Sequence, residues 1–300
     1  MFNICCLNVK KFSISDIENL IGIKAHTIRA WENRYDLVPP KRTPTNIRYY
    51  DEEDLKVLLN IVALNENGYK ISKIASMSRE HISTLVKQFK TDWKNDSVQI
   101  LNLSNAAIEY NEDSFSETLG GCIKEMGLIK AMDIVLFPFM KKIGMLWQTG
   151  TIDPSHEHFA SNLIRDRIIV EIDKVKKPKR KDPKRFLLFL PEKEMHETGL
   201  LFARYLLKKC GHETLYLGAE IPYADLKKVV DSYKPDYAFI VLTSLNLGRD
   251  PNKVISKVMD TLNVPLLVAG SLISEFDVLV KDQLKPLKNV CDMVEFLEDL

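Results

Sequence analysis

Short apolar runs alternate with helix-like segments through the C-terminal part of the chain, and this alternation constrains the fold most. The runs FLLFL, ETLYL, YAFIVL and PLLVA are rich in residues that favour strands. Between them, Glu197–Cys210, Tyr223–Tyr233 and Asn252–Leu262 have the apolar period and the length of helices. Continuous apolar strands separated by helices predict a doubly wound parallel sheet of the flavodoxin-like kind over residues 183–300.

Ligands of such sheets bind at the carboxyl ends of the strands, where the strand order reverses. Three features fall at those ends: His196 after the first run, Ser244 after the third and Gly270 after the fourth. In the flavodoxin-like order the first and third strands flank the reversal. We therefore expect the loops that carry His196 and Ser244 to face one crevice.

The loop after the first run contains the pattern Glu194-x-His196-x-x-Gly199. A carboxylate two residues before a histidine can accept a ring N–H, which fixes the tautomer and makes the other nitrogen a better metal ligand. Gly199 leaves room for the close approach of a flat ligand. A single loop histidine is also commonly an ordinary surface residue, so the residues alone leave both interpretations open.

Four amphipathic segments precede the sheet, and their short connections favour antiparallel packing. They predict a four-helix bundle within residues 95–177, formed by Val98–Tyr110, Ser114–Met126, Leu128–Trp147 and Ser155–Val175. At the junction LWQTGTIDPSHEHF, Trp147 is followed ten and eleven residues later by Glu157 and His158. These side chains are either a binding feature or a packed helix edge in which Glu157 favours the positive end of the dipole.

The N-terminal segment FSISDIENLIGIKAHTIRAWENRY has the pattern of a helix-turn-helix. Ser13 can cap a helix over residues 15–20, and Gly22 supplies the turn. A second helix is expected from Ala25 to Tyr35, with Ile28 and Trp31 on its buried side.

The prolines of PPKRTPTNIRYYDEEDL exclude a helix, residues 47–50 can form a strand, and Asp51 can cap a further helix. The chain has a net charge of +1, yet residues 24–48 contain six basic and two acidic residues. Any nucleic-acid contact must therefore use this local patch. A small helical interaction domain with ordinary surface charges is the alternative.

The motifs TIRAWENRY and PxRTxxxxRYYDEEDL and the later LNENGYKISKIA make residues 12–80 resemble the winged helix-turn-helix of the MerR family of transcription regulators. The resemblance implies that the protein binds double-stranded DNA as a dimer or a higher oligomer. The wing carries Asn46 where glycine is usual, and asparagine tolerates left-handed geometry. By resemblance, base contacts are expected from His26, Thr27 and Arg29, and backbone contacts from Arg34, Tyr35, Arg42, Arg48 and Tyr49.

The bundle and the sheet together resemble the cobalamin-binding module of methionine synthase, of corrinoid proteins and of the light-sensing repressors of carotenoid synthesis. The family pattern Asp-x-His-x-x-Gly has a Glu in place of its Asp here, as in the repressors. The resemblance implies cobalamin, with adenosylcobalamin the favoured form and His196 the lower cobalt ligand. The other implied cofactor residues are Trp147, Glu157, His158, Glu194, Gly199, Thr243, Ser244, Leu245 and Gly270. The family's Gly pair is reduced to Ala269-Gly270.

In the light-sensing repressors, a histidine directly after the cap tryptophan becomes a cobalt ligand in the light. This chain has Gln148 at that position, and an amide oxygen is a weaker cobalt ligand than imidazole. Only His156 and His158 are expected near the upper face of the cofactor. The sequence therefore predicts a regulator that responds to the presence of the cofactor more than to illumination.

Two connectors are predicted, Phe89–Ser97 and Lys174–Arg185. The second has eight basic residues and one acidic residue, and it is either solvated or in contact with phosphates or nucleic acid. The five cysteines have no CxxC spacing, which argues against a disulfide framework and a zinc site. No signal-like pattern precedes Lys10, and no apolar run is long enough to span a membrane.

These patterns together predict a cytoplasmic, multidomain α and α/β protein with a winged helix-turn-helix, a four-helix bundle and a parallel sheet. Its expected role is that of a transcription regulator, favoured as a repressor, that senses a corrinoid and has no enzyme activity. One alternative is a cofactor-free regulator that uses the degenerate sensor for protein interaction. Another is an enzyme subunit that carries a methyl-corrinoid, which the DNA-binding segment disfavours.

Overall fold

The computed structural model describes residues 11–89, 96–176, 178–243, 250–276, 278 and 282–300. The chain divides into two compact units, Met1–Ala160 and Ser161–Leu300. Within the described parts of the chain, no helix has both the length and the apolar character that crossing a membrane would need.

The first unit begins with a small head of five helices and a two-stranded hairpin in its described part. The elements are α1 Ile14–Ile21, α2 Ala25–Tyr35, β1 Lys41–Arg42, β2 Arg48–Tyr49, α3 Glu52–Glu66, α4 Ile71–Ile74 and α5 Arg79–Phe89. The predicted Ser13 cap is confirmed, and it forms a capping box with Asp16. Gly22 ends α1 with a φ of 75°, and α2 has the predicted bounds.

The hairpin has the position of the predicted wing, although β2 is shorter than residues 47–50. Lys41 pairs with Tyr49 and Arg42 with Arg48 in antiparallel register. Asn46 has a φ of 64° at the turn, as expected for a residue that replaces glycine there. Asp51 caps α3 through the Asp54 N–H, as predicted.

Helix α3 has buried apolar residues around most of its circumference, more than the single apolar stripe of a surface helix. It packs against α1, α4 and α5 of the head and also against α6 of the following bundle. Lys56 of α3 adds an ion pair of 3.3 Å with Glu109, directly after α6. The head and the bundle therefore share this helix. Its buried residues are Leu55, Leu58, Leu59, Ile61, Val62, Ala63 and Leu64.

The bundle is formed by α6 Asp96–Ile108, α7 Glu112–Ala131, α8 Phe137–Gln148 and the start of α9 Pro154–Lys174. Helix α7 is broken at Gly127, whose φ of 78° and ψ of 158° are not helical, so the predicted boundary between the second and third segments is confirmed. A π-helical turn, Met132–Leu136, precedes Pro138. Such a widened turn accommodates a proline, which cannot donate an N–H and whose ring crowds the preceding turn.

The second unit contains a parallel sheet with the strand order β4-β3-β5-β6-β7. The order reverses between β3 and β5, so the flavodoxin-like arrangement is confirmed. The short β7 was not predicted because its sequence, LKP, has no apolar run. The strands are β3 Arg185–Pro191, β4 Glu213–Ile221, β5 Tyr237–Val241, β6 Leu266–Ala269 and β7 Leu284–Pro286; the helices are α10 Glu197–Lys209, α11 Tyr223–Tyr233, α12 Pro251–Leu262, α13 Ser271–Glu275 and α14 Val290–Glu298.

Candidate functional sites

The second head helix, α2, presents a buried side and a charged side. Ile28 and Trp31 are 1% and 9% exposed and face the head core, as predicted. His26, Arg29 and Arg34 are exposed, and Thr27 is half-buried. This division leaves the charged side of α2 available to a ligand outside the head.

The start of α2 is held by a residue that sequence reasoning missed. One carboxylate oxygen of Glu18 accepts the Ala25 N–H at 3.0 Å, and the other accepts from Lys24 Nζ at 2.9 Å. The hydrogen bond from Lys24, together with that N–H, lowers the pKa of Glu18. Glu18 therefore serves as the cap that Lys24 itself cannot provide, and its position seven residues before Ala25 was the available signal.

The wing adds a second row of cations. Arg42 and Arg48 face each other across the hairpin and are exposed. Arg42 Nη1 donates to Asn46 Oδ1 at 2.8 Å, which braces the turn. Tyr49 is half-buried under Lys11, whose Nζ lies 4.9 Å from the ring centroid.

One buried contact connects the wing to α2. The Tyr50 hydroxyl donates to the Glu32 carboxylate, and Tyr50 is 0% exposed. Burial, together with this carboxylate, raises the pKa of Tyr50 far above its ordinary value. The contact spans eighteen positions of sequence and has no local signal, so the spacing of residues could not reveal it. It ties the end of the wing to α2.

At the carboxyl edge of the sheet, Glu194 is a buried carboxylate with an exposed fraction of 0%. Its Oε1 accepts from His196 Nδ1 at 2.5 Å and from the backbone N–H groups of Met195 and His196 at 3.1 Å. Its Oε2 accepts the Thr243 N–H at 2.9 Å. Glu194 thus joins the loop after β3 to the loop after β5, which the strand order predicted to be neighbours.

These contacts set the chemistry of His196. Burial opposes the charge of Glu194, but the hydrogen bonds from His196 and from the Thr243 N–H outweigh it, so the pKa of Glu194 is lowered. The carboxylate holds the proton of His196 on Nδ1, which makes Nε2 the nitrogen that a metal would use. The His196 side chain is 46% exposed and so can be reached.

Two glycines at this edge are required by close packing. A Cβ on Gly270 would lie 2.2 Å from the Leu242 carbonyl oxygen, and its φ is 114°. A Cβ on Gly199 would lie 3.0 Å from a methyl carbon of Val241. The packing of α10 on β5 is therefore a sufficient reason for Gly199, beside the predicted one of leaving room for a flat ligand.

The donor set at this edge fits a corrinoid. The Thr243 hydroxyl oxygen is buried and has no hydrogen-bond partner among the described residues. The backbone N–H of the same residue, Thr243, donates to the Glu194 carboxylate. Ser244 and Leu245, which were also predicted to contact the cofactor, lie outside the described residues. His196 Nε2 is suited to ligate a cobalt ion. The Thr243 hydroxyl nearby is suited to bond a polar group of the same corrinoid.

The residues predicted to cover the cofactor belong to the other compact unit. Trp147 is half-buried near the end of α8, and Gln148 after it is exposed. Glu157 lies in the first turn of α9 and His158 directly after it, with His158 Nδ1 3.6 Å from the Glu157 carboxylate. The His158 side chain is 72% exposed. The structure therefore leaves His158 accessible within its own unit.

His156 is held differently from His158. It is 6% exposed, its Nδ1 is 3.2 Å from the Ala107 carbonyl oxygen, and its ring stacks on Tyr110 with centroids 4.3 Å apart. The Tyr110 hydroxyl is 2.6 Å from Ser155 Oγ. His156 is thus part of the packing between α6 and α9.

Comparisons with known proteins agree with these two kinds of site. The model of the MerR HTH family regulatory protein matches residues 12–80, and the model of the B12 binding domain matches residues 100–170, which form most of the bundle. The HTH-type transcriptional repressor CarH of Myxococcus xanthus is 26% identical over 276 residues, covering 87% of this chain and 89% of the repressor. The repressor CarA of the same organism is 29% identical over 269 residues, covering 86% and 85%. The predicted family resemblance is confirmed.

Two solved structures of cobalamin or corrinoid proteins have low similarity to this chain. The monomethylamine corrinoid protein of Methanosarcina barkeri has a TM-score of 0.49 at 15% identity and covers 65% of this chain and 95% of that protein. A cobalamin-binding protein from Desulfitobacterium hafniense has a TM-score of 0.30 at 14% identity, covering 72% and 96%.

Glu194→Gln should lower the free energy of unfolding of the second unit by about 1–3 kcal/mol at neutral pH, because it removes a charge that buried donors require. The folded pKa of Glu194 lies below its ordinary 4.5. Its contribution is therefore present above pH 4.5 and disappears as the pH falls through the folded value. Urea unfolding followed by circular dichroism should show a difference from wild type that narrows in acid.

Tryptophan fluorescence supplies the control, since all three tryptophans lie in the first unit. The unfolding transition followed by tryptophan fluorescence should be the same in wild type and in Glu194→Gln. A difference between the two proteins that stays constant down to acid pH would contradict the assigned role of the Glu194 charge.

Proposed function

We propose that this MerR-type helix-turn-helix protein with a B12-binding region, homologous to CarH and CarA, is a transcription regulator that binds DNA and a corrinoid. The single observation that carries the proposal is the presence in one chain of a cationic helix-and-wing head and a histidine held by a buried carboxylate. Its expected action is that of a repressor, as in both relatives, and its expected place is the cytoplasm. Its domains are residues 1–80, 95–177 and 183–300.

In the head, the exposed side of α2 enters the major groove of double-stranded DNA. The first turn of the helix brings His26, Thr27 and Arg29 toward base edges, and arginine suits the paired acceptors of guanine. The wing and the end of α2 contact phosphates and fix the register without reading sequence. The phosphate contacts come from Arg34, Tyr35, Arg42, Arg48 and Tyr49. A dimer or tetramer would supply two or more such heads.

In the second unit, His196 would hold the corrinoid through Nε2, and Thr243 would give it a polar contact. The corrinoid would supply a cobalt ion, and the His196 imidazole would be its protein ligand. Glu194 keeps the Nδ1 proton in place, so that the ring presents a lone pair in a fixed direction. Ser244, Leu245, Gly199 and Gly270 complete the proposed set.

Adenosylcobalamin is the proposed form of the cofactor. Trp147, Glu157 and His158 would cover its upper group with an aromatic surface and two polar side chains. The half-buried state of Trp147 within its own unit supports this role, since part of a large apolar ring is left without protein contact.

Arg29→Ala and Arg48→Ala should each weaken DNA binding because each removes a cation from the proposed interface. The slope of log affinity against log salt should become shallower by about one for each phosphate that the variant no longer neutralises. Fluorescence anisotropy with a duplex taken from upstream of the gene would measure both quantities. Lys124→Ala, which removes an exposed cation of the bundle, should change neither. Normal binding by both head variants would exclude the proposed interface.

His196→Ala should abolish corrinoid binding. If the variant still binds the corrinoid, it should do so without imidazole ligation, which would change the absorbance spectrum of the bound corrinoid. Thr243→Val should weaken binding while leaving the ligation spectrum intact, because it removes only the hydroxyl. His81→Ala is the matched control, since His81 is an exposed histidine of the head. A His196→Ala protein with wild-type affinity and spectrum would remove the ligand assignment.

The DNA affinity of the corrinoid-loaded protein should be the same in darkness and after illumination. Gln148 is a poor cobalt ligand, and His156 is fixed under Tyr110 and beside the Ala107 carbonyl. Of the two histidines at the start of α9, only His158 is exposed. Any light-dependent affinity would contradict this prediction, and its loss in His158→Ala but not in His156→Ala would identify His158 as the ligand formed in the light.

A further inference from the structure

The basic connector between α9 and β3 contains more positive charge than its position requires. Between residues 174 and 185 the structure describes seven basic side chains and one acidic one, Asp182. Lys177 lies outside the described residues. Such a run is ordinarily a solvated linker. The contacts that this connector makes within the second unit distinguish it from a solvated linker.

The connector lies against the turn between α10 and β4. Gly211 has a φ of 84°, and a Cβ there would be 3.0 Å from the Pro178 carbonyl oxygen and 3.2 Å from the Cβ of Arg180. Arg180 Nη1 donates to the Cys210 carbonyl at 3.3 Å. The Lys184 N–H donates to Nδ1 of the buried His212 at 3.2 Å. The segment is thus anchored at two points rather than free.

Four of the cations have a structural task. Lys174 pairs with Glu171 at 2.9 Å, and Lys184 pairs with Asp182 at 2.5 Å. Arg185 Nη1 donates to the Tyr233 carbonyl at 3.1 Å, and Arg180 holds Cys210. Arg180 and Arg185 attach the connector to the sheet domain, whereas the ion pairs of Lys174 and Lys184 lie within α9 and within the connector.

The other three cations, Lys176, Lys179 and Lys181, are exposed. None of them forms an ion pair or a hydrogen bond with any residue that the structure describes. Helix α9 ends at Lys174, so the negative end of its dipole explains at most Lys176. Exposed Lys209, in the last turn of α10 just before Cys210 and Gly211, adds a further positive charge beside this segment.

We propose that Lys176, Lys179 and Lys181 form a second DNA contact that binds phosphates and reads no bases. This inference rests on the proposed DNA-binding function of the head. A non-helical chain advances at most about 3.3–3.6 Å per residue, so these lysines span up to roughly 17 Å, a length that suits a linear polyanion. Lysine acts as a point charge toward phosphate, so such a surface contributes affinity without specificity.

DNA is the partner that the chain itself brings close. A duplex held by the head raises the effective concentration of phosphates near any other cationic surface of the same protein or of its partner subunit. The connector also offers prolines rather than large apolar side chains between residues 176 and 184, so it lacks the apolar face with which interfacial segments insert into lipid.

The test compares the full-length triple variant K176Q/K179Q/K181Q with wild type on a duplex of random sequence between about 50 and 200 mM salt. The slope of log affinity against log salt should become shallower by about 2–3, because each phosphate contact contributes about 0.9. K124Q/K130Q/K227Q, three exposed lysines elsewhere, makes the same change in net charge and should leave the slope unchanged.

Three results would overturn the inference, and they are distinguishable. Equal slopes for wild type and the connector variant would exclude this contact while leaving the head intact. Equal decreases in slope for both triple variants would show an effect of net charge alone. Binding of phosphatidylserine vesicles that is abolished in the connector variant, with an unchanged DNA slope, would assign the surface to lipid. A wild-type protein that binds no duplex would instead overturn the proposed function itself.

Discussion

The buried carboxylate of Glu194 is the interaction on which the candidate sensor site depends. An ionised group at 0% exposure is stable only if donors surround it, and Glu194 has four of them in the loops after β3 and β5. Those loops meet because the strand order reverses between the same two strands. Because the carboxylate bonds to both loops and to His196 Nδ1, the strand order indirectly fixes the orientation of the His196 ring. Aspartate, the residue of the wider family pattern, is one methylene shorter than this glutamate.

A second constraint is the burial of most of the circumference of α3. A helix with such a wide apolar surface needs partners on more than one face, and here the head supplies some and α6 supplies others. Sequence reasoning placed a polar connector at Phe89–Ser97 and treated the head as separate. Residues 90–95 lie outside the described residues, and the contact between α3 and α6 is seen in the described part of the chain. The largely apolar sequence LKVLLNIVALN was the signal for this second contact surface.

The sequence predicted local features well, and the reason is physical. The Ser13 and Asp51 caps, the break at Gly127 and the four longer strands depend on neighbours in the chain, so a single stretch contains the whole cause. The Tyr50–Glu32 contact, the stacking of His156 on Tyr110 and the anchoring of Arg180 depend on partners far away in sequence. No composition or period encodes such pairs. Gly199 shows both cases. The sequence predicts that a small residue is needed there, but the contact with Val241 that needs it comes from a distant part of the chain.

Three histidines show why residue type alone does not define a site. His212 is 1% exposed and accepts the Lys184 N–H through Nδ1, so its ring supports a connector. His156 is 6% exposed and fills a contact between helices. His196 has a carboxylate on Nδ1 and a side chain that is 46% exposed, so it is both oriented and reachable. Accepting an N–H requires an unprotonated Nδ1 in His212, whereas Glu194 requires a protonated Nδ1 in His196. The two rings therefore hold opposite tautomers, and only the second directs its basic nitrogen away from its own anchor.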